Sequence, residues 1–195
     1  MARSPRQIPP GTLPIAGPLA FYATWFHNPQ KPIKLSTYWV HHAHIATSQG
    51  VMVLAVPLSQ KKKSVALLPS DDKWMAFWLK SLRSAYGKAP FFEHLFPEME
   101  EIFARCQAKP LTEINAALHE LMKRWLLFSD LPSPLCEWDT RRHRRLPHII
   151  CHPYLRVHPL DPSHIPFLSI IDLLMHLGRE GRLWFLESLV VEQKA

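Results

Sequence analysis

Residues 41–58 read HHAHIATSQGVMVLAVPL, and their reading decides the fold. A strand reaching Thr47, a Ser48-Gln49-Gly50 turn and a return strand from Val51 to Val56 make a β-hairpin. The return strand is apolar at every position, the pattern of a strand buried on both faces. Upstream, KPIKLSTYWV (31–40) is expected to be extended, with Pro32 excluding helix before it. Residues 18–27, PLAFYATWFH, suit a short helix beginning near Pro18, with Leu19, Tyr22 and Phe26 on one side. Downstream, SVALLP (64–69) predicts a third strand closed by Pro69.

From Ser70 the period changes. SDDKWMAFWLKSLRSAYG (70–87) opens on a cap and early acids and stops at Gly87. Trp74, Trp78, Leu82 and Tyr86 recur every fourth residue with Phe77 alongside, an aromatic stripe read as core packing. A second helix is expected from Pro97 to about Gln107. A third is expected over Leu111–Phe128, with Ile114, Leu118, Leu121, Met122 and Trp125 inward. LSIIDLLMHLG (168–178) carries a Ser169-x-x-Asp172 capping box and a Gly178 stop, so Asp172 reads as a cap of its own helix. EGRLWFLESLVV (180–191) reads as a closing helix. Strands followed by helices give α+β: a single domain over 1–195, with a small, largely antiparallel sheet from the N-terminal third packed against four to five helices.

Composition agrees with a folded globule. The chain has 195 residues, 47% hydrophobic and 20% charged, enough to bury roughly two-thirds of its unfolded surface. Its 19 prolines against 6 glycines cluster at 5–32 and 131–166, which read as long connections anchored by Trp25, Phe26, Trp138 and Tyr154. The formal charge of +7 equals two runs, Lys61–Lys63 and the four arginines Arg141, Arg142, Arg144 and Arg145. Both read as solvated loops, or as an anion attractor. No nucleic-acid-binding motif accompanies them, so no specific nucleic acid is expected. Three irregularly spaced cysteines, Cys106, Cys136 and Cys151, exclude a disulfide framework and suit a reducing compartment. The charge-free stretch from Gln7 to Gln30 is broken by prolines, so no membrane span is expected, and the protein is placed in the cytoplasm.

Three stretches together carry a resemblance: TSQGVMVLAVPL, KWMAFWLKSLRSAYGKAPFFEHLFPEME and PFLSIIDLLMHLG. Their order and spacing resemble the WbqC-like proteins, bacterial proteins associated with O-antigen and other surface-polysaccharide gene clusters, over roughly residues 12–190. The SAYGKAPFF and LSIIDLL blocks are the specific parts. The resemblance implies a transferase or accessory enzyme acting on a sugar intermediate, with a nucleotide-sugar or lipid-linked sugar as partner. The family's strand before the turn typically carries an aromatic followed by Arg-Asn-Arg. Here those positions read Trp39, Val40, His41 and His42. The family's histidine-tryptophan pair in the first long helix reads Trp78-Leu79, and its Pro-Asn-Leu-Ser reads Pro166-Phe167-Leu168-Ser169. These departures support the alternative of a degenerate member that binds a protein partner or serves as a scaffold.

The candidate chemistry follows from those positions. His42, Tyr86 and Glu93 are the candidate catalytic groups, an acid/base set for acyl or glycosyl transfer. His41, Lys80, Lys88 and His94 are the candidate substrate-binding residues. The expected cleft lies between the 38–47 strand and the 80–94 helix end. On a strand His42 and His44 share a face about 6–7 Å apart, which two metal ligands could use. His148, Cys151 and His152 are candidates to complete such a set, but no Cys-x-x-Cys or His-Glu-x-x-His pattern supports it, so no metal is assigned. The sequence names no cofactor. Cys136 and Cys151 lack an activating charge pattern.

Overall fold

The computed structural model describes residues 8–9, 11–59, 67, 69–140 and 146–191. Helix α1 (Leu19–His27) is buried continuously from Leu19 to Trp25, on every side and not on one face. Only a charge-free segment can be surrounded in this way, which accounts for the composition of that stretch. Strand β1 (Ile33–Ser36) gives way to a 3₁₀ turn, Thr37–Val40, where extended chain was expected. The Ser36 hydroxyl accepts the Tyr38 N–H at 3.2 Å and starts that turn.

Strands β2 (His42–Thr47) and β3 (Gly50–Ala55) form the expected hairpin, with Thr47 opposite Gly50 and a two-residue loop between them. Gly50 sits at φ +99°, open to glycine at little cost. The expectation that the return strand is buried on both faces is corrected. Within β3 only Leu54 is buried, and Val53 is 38% exposed. The buried member is β2, from Ala43 to Ala46, which packs against α2 (Lys73–Tyr86) and α5 (Ile170–Leu177). An apolar edge strand and an apolar central strand look alike in sequence. The strand expected at 64–69 and both basic runs lie outside the described residues, apart from Leu67 and Pro69; Pro69 bridges Leu58.

In α2 the stripe Trp74, Trp78, Leu82 and Tyr86 is buried, but Phe77 is 51% exposed. Met75 and Ala85 fall within the arc of the stripe and complete the buried face, whereas Phe77 lies outside it, about 60° beyond Trp74. Helix α3 (Phe92–Arg105) begins five residues before Pro97, not at it. Phe92, Leu95, Phe96 and Met99 keep helical spacing across the proline, and their burial offsets the roughly 3 kcal/mol that an interior proline costs. Helix α4 (Leu111–Trp125) ends earlier than expected, because Leu127 turns left-handed at φ +56°. Ile114, Leu118, Leu121 and Met122 face inward as expected, and Trp125 is half-buried.

The sheet differs most from expectation. Strand β4 (Cys136–Asp139) pairs parallel with β1, Ile33 opposite Cys136. After β5 (His148–Ile150) and α5 comes α6 (Gly181–Glu187), and β6 (Leu189–Val191) pairs antiparallel with β5. So the α+β class stands, built among the described residues on six α-helices and three two-stranded ribbons in place of one sheet. Only the β2–β3 ribbon lies wholly in the N-terminal third. The closing helix stops at Glu187 because Leu189-Val190-Val191 has a ribbon partner.

Ser169 does cap α5: its hydroxyl accepts the Ile171 N–H at 3.2 Å and donates to the Ala16 carbonyl at 2.6 Å. Gly178 ends the helix at φ +53°, ψ −131°, and a β-carbon there would lie 2.5 Å from the Phe91 ring. Backbone strain and the clash together set the expected cost of Gly178→Ala at about 3 kcal/mol. A urea melt tests it; an unchanged midpoint would mean that Phe91 moves aside freely.

Candidate functional site

The 3₁₀ turn places Tyr38 against the histidines that follow it. The Tyr38 and His42 rings stack with centroids 4.0 Å apart and planes 2° from parallel. The Tyr38 hydroxyl bonds His44 Nε2 at 2.9 Å, and His42 Nδ1–H donates to the Tyr38 carbonyl at 2.9 Å. In the neutral ring that donation puts the lone pair on Nε2. His44 is buried, and the His41 ring lies 4.1 Å from that of His42. One tyrosine thus organises both histidines of the pair expected on a common strand face.

His41 borders a cavity of about 220 Å³. Ile8, Val40, Leu58 and Leu67 give it apolar walls, while Thr37, His41 and Thr140 supply two hydroxyls and an imidazole. Apolar walls with a few polar groups are the usual lining of a small-molecule site. Val40 and His41 are two of the altered signature positions. Thr37 and Thr140 were not singled out in the sequence, since a threonine in an irregular connection carries no pattern.

A second polar centre lies across β2. Asp172 of α5 is completely buried, and its carboxylate accepts Tyr86 Oη–H at 2.7 Å and Tyr154 Oη–H at 2.5 Å. Tyr86 Oη also accepts the Ala46 N–H of β2 at 3.2 Å. Asp172 is therefore no helix cap, which corrects the capping-box reading; it ties α2, β2, α5 and the 151–160 connection to one carboxylate. Burial, then the adjacent carboxylate, pushes both phenols well above the usual tyrosine range, so they stay protonated donors. One turn on, His176 Nδ1–H donates to the Asp172 carbonyl at 2.7 Å, and Nε2 accepts the Val157 N–H at 3.0 Å. Those partners require the neutral ring. Burial lowers its pKa, and Asp172 only partly opposes this.

The sequence-derived residues divide accordingly. Tyr86 turns into the interior and meets Asp172. His41 and His42 lie together beside the cavity. Lys80, Lys88, Glu93 and His94 are exposed on the α2–α3 corner, and none of the four lines the cavity. The 38–47 and 80–94 segments are joined through the Ala46–Tyr86 bond. Asp172, Tyr154 and His176 went unrecognised as one cluster. The available signal was a lone carboxylate inside the apolar run Ile170–Leu177. Burial lifts the Cys136 thiol to about 12, so it is no ready nucleophile. Among the described residues, no group of three or more His, Cys, Asp or Glu is arranged to hold a metal ion.

The model of the WbqC-like protein family matches residues 35–131. No curated protein and no solved structure matches the chain. The matched span runs from β1 to the turn after α4. It includes His41, His42 and Tyr86, and leaves out Thr140, Tyr154, Asp172 and His176.

Proposed function

Through residues 35–131 the chain belongs to the WbqC-like family, and on that footing we propose that it acts on a sugar intermediate of surface-polysaccharide assembly, nucleotide-linked or lipid-linked, as a transferase or accessory enzyme. One observation carries the reading: the altered family signature, at Val40 and His41, forms a wall of the 220 Å³ cavity. A cavity of about 150 Å³ accepts benzene, and whole drug-sized ligands need roughly 300–1,000 Å³. The pocket therefore suits one sugar ring or a short acyl group, with nucleotide or lipid left outside it. Thr37, Thr140 and His41 would bond ring hydroxyls. His42, with its basic nitrogen at Nε2, would take the proton from the attacking group. The family's two arginine positions hold Val40, on the cavity wall, and His42, which removes a bidentate grip on phosphate and favours hydroxyl recognition.

A second reading has its own observation. The Tyr86 hydroxyl is occupied by both Asp172 and Ala46, so this residue serves the frame. That favours a non-catalytic member which binds but does not turn over. A thermal-melt screen against sugar nucleotides, lipid-linked sugars and acyl or aminoacyl donors separates the two. Ligand at a hundred times its Kd adds about 2.7 kcal/mol, roughly 5–10 °C for a chain of this size. A shift abolished by His41→Ala, with turnover lost in His42→Ala, is the expected result. A shift without turnover supports the binding reading, and no shift with any ligand sinks both.

A further inference from the structure

Exposed aliphatic side chains are concentrated at the C-terminal end of the fold. The β5–β6 register sets Ile150 opposite Leu189 and His148 opposite Val191, so these four share the outer face of the ribbon, while Ile149 is buried on the inner one. Ile150 is 55% exposed and Leu189 61%. Helix α6 feeds directly into β6, and its Leu183 and Leu186, 58% and 57% exposed, extend the row. Positions 183, 186, 189 and 191 are thus aliphatic and turned outward along one continuous piece of chain. The same piece is firmly seated from behind. Phe185 and Ser188 are buried, and Trp184 Nε1–H donates to the His152 carbonyl at 2.8 Å. Scattered exposed leucines are ordinary on a protein surface, but a contiguous row marks a contact site.

Charge selects the occupant. Along this stretch the exposed Arg179 and Arg182 are matched in number by the exposed Glu180 and Glu187. The chain as a whole carries +7, and in sequence Arg141, Arg142, Arg144 and Arg145 precede β5 with only Leu146 and Pro147 between. An aliphatic row on a basic chain, with an arginine run two residues before β5 in sequence, has the two components of attachment to an acidic lipid surface. Apolar side chains enter the boundary between headgroups and acyl chains, and arginines are drawn to anionic headgroups. No helix among the described residues is long and apolar enough to cross a membrane, so the contact is of the peripheral kind. We propose that the outer face of α6 and the β5–β6 ribbon docks on an anionic bilayer.

Flotation of the full chain with lipid vesicles tests this. The protein should float with phosphatidylcholine vesicles containing about a third phosphatidylglycerol, and far less with phosphatidylcholine alone or at high salt. A Leu186→Gln/Leu189→Gln variant changes no charge and replaces two side chains that are already more than half exposed. Its melting temperature should match wild type while its partition into anionic vesicles drops about tenfold or more. Failure to float with anionic vesicles overturns the proposal. So does equal flotation of the variant, which would assign binding to the basic run alone. A concentration-dependent dimer that the variant dissolves, without vesicle binding, would assign the face to a second copy of the chain. The outcome does not depend on the sugar reading: a chain that floats but responds to no sugar keeps this face and loses that function.

Discussion

Asp172→Ala should lower the melting temperature by roughly 8–16 °C. The substitution removes the acceptor of two buried phenols at once. An orphaned buried donor costs about 1–3 kcal/mol, so two of them cost about 4 kcal/mol, and each kcal/mol moves the midpoint of a chain this long by about 2–4 °C. The order of related variants is as informative as the size. Tyr86→Phe strips a bond from the carboxylate and leaves the buried Ala46 N–H without its acceptor, so it should cost more than Tyr154→Phe, which strips a bond from the carboxylate and orphans no backbone group. Asp172→Asn should be the mildest, because its amide keeps one acceptor oxygen and the second phenol can rotate to accept. Calorimetry on the four variants decides the matter. If Asp172→Ala melts within about 3 °C of wild type, a loss below what a single orphaned donor would produce, the carboxylate is not the fastening described above.

The second large effect is loss of stability in mild acid. His119 of α4 is buried, with Nδ1 3.2 Å from the Tyr22 hydroxyl and Nε2 without a partner among the described residues. Burial, with a smaller contribution from Lys123 one turn on, draws its pKa down to about 4. His176 is lowered in the same direction by burial, with Asp172, Tyr86, Tyr154, Arg156 and His158 around it. Both rings are neutral in the folded protein and ordinary in the unfolded one. As pH falls below about 6.5 the unfolded chain therefore takes up protons that the folded chain refuses, and folding weakens. For His119 the loss is complete near pH 4 and amounts to roughly 3 kcal/mol; His176 adds to it. Above about pH 7.5 neither ring contributes any slope. Urea unfolding at a series of pH values should show this, and His119→Gln should remove much of the dependence. A flat profile through the acid range would mean that one of the rings is reached by solvent.

What was legible in the sequence was local. The hairpin, the extents of α1 and α2, and the Ser169 cap each depend on residues within a turn or two, and each formed. Pro97 is a strong local start-or-stop signal, and only burial of Phe92 and Leu95 against the rest of the fold carries helix α3 back past it to Phe92. Neither the β1–β4 nor the β5–β6 pairing could be read, since partners lie far apart along the chain and no periodicity announces them. Asp172 shows the same limit. Ser-x-x-Asp satisfies a capping pattern whether or not the carboxylate turns back to the helix end, and its partners stand 86 and 18 residues away. Three histidines in four positions stand out in the sequence, while nothing there marks Tyr38, which arranges them, or the two threonines of the cavity. Their roles come from position in space and not from residue type.

The parallel pairing of β1 with β4 has a consequence for the order of events at the ribosome. The two strands bracket nearly the whole family-matched span, which runs between them as one closed excursion. A chain made from its N-terminus exposes Ile33–Ser36 long before Cys136–Asp139 exists. At about 5–20 residues per second, the roughly one hundred intervening residues take some 5–20 s to appear. Through that interval the hairpin and α2–α4 have time to collapse on one another, while β1 waits with an unpaired edge. The last step, clasping the two ends of the excursion together, then joins parts already shaped, so translation speed across residues 36–136 sets how long a bare strand is left open to wrong partners.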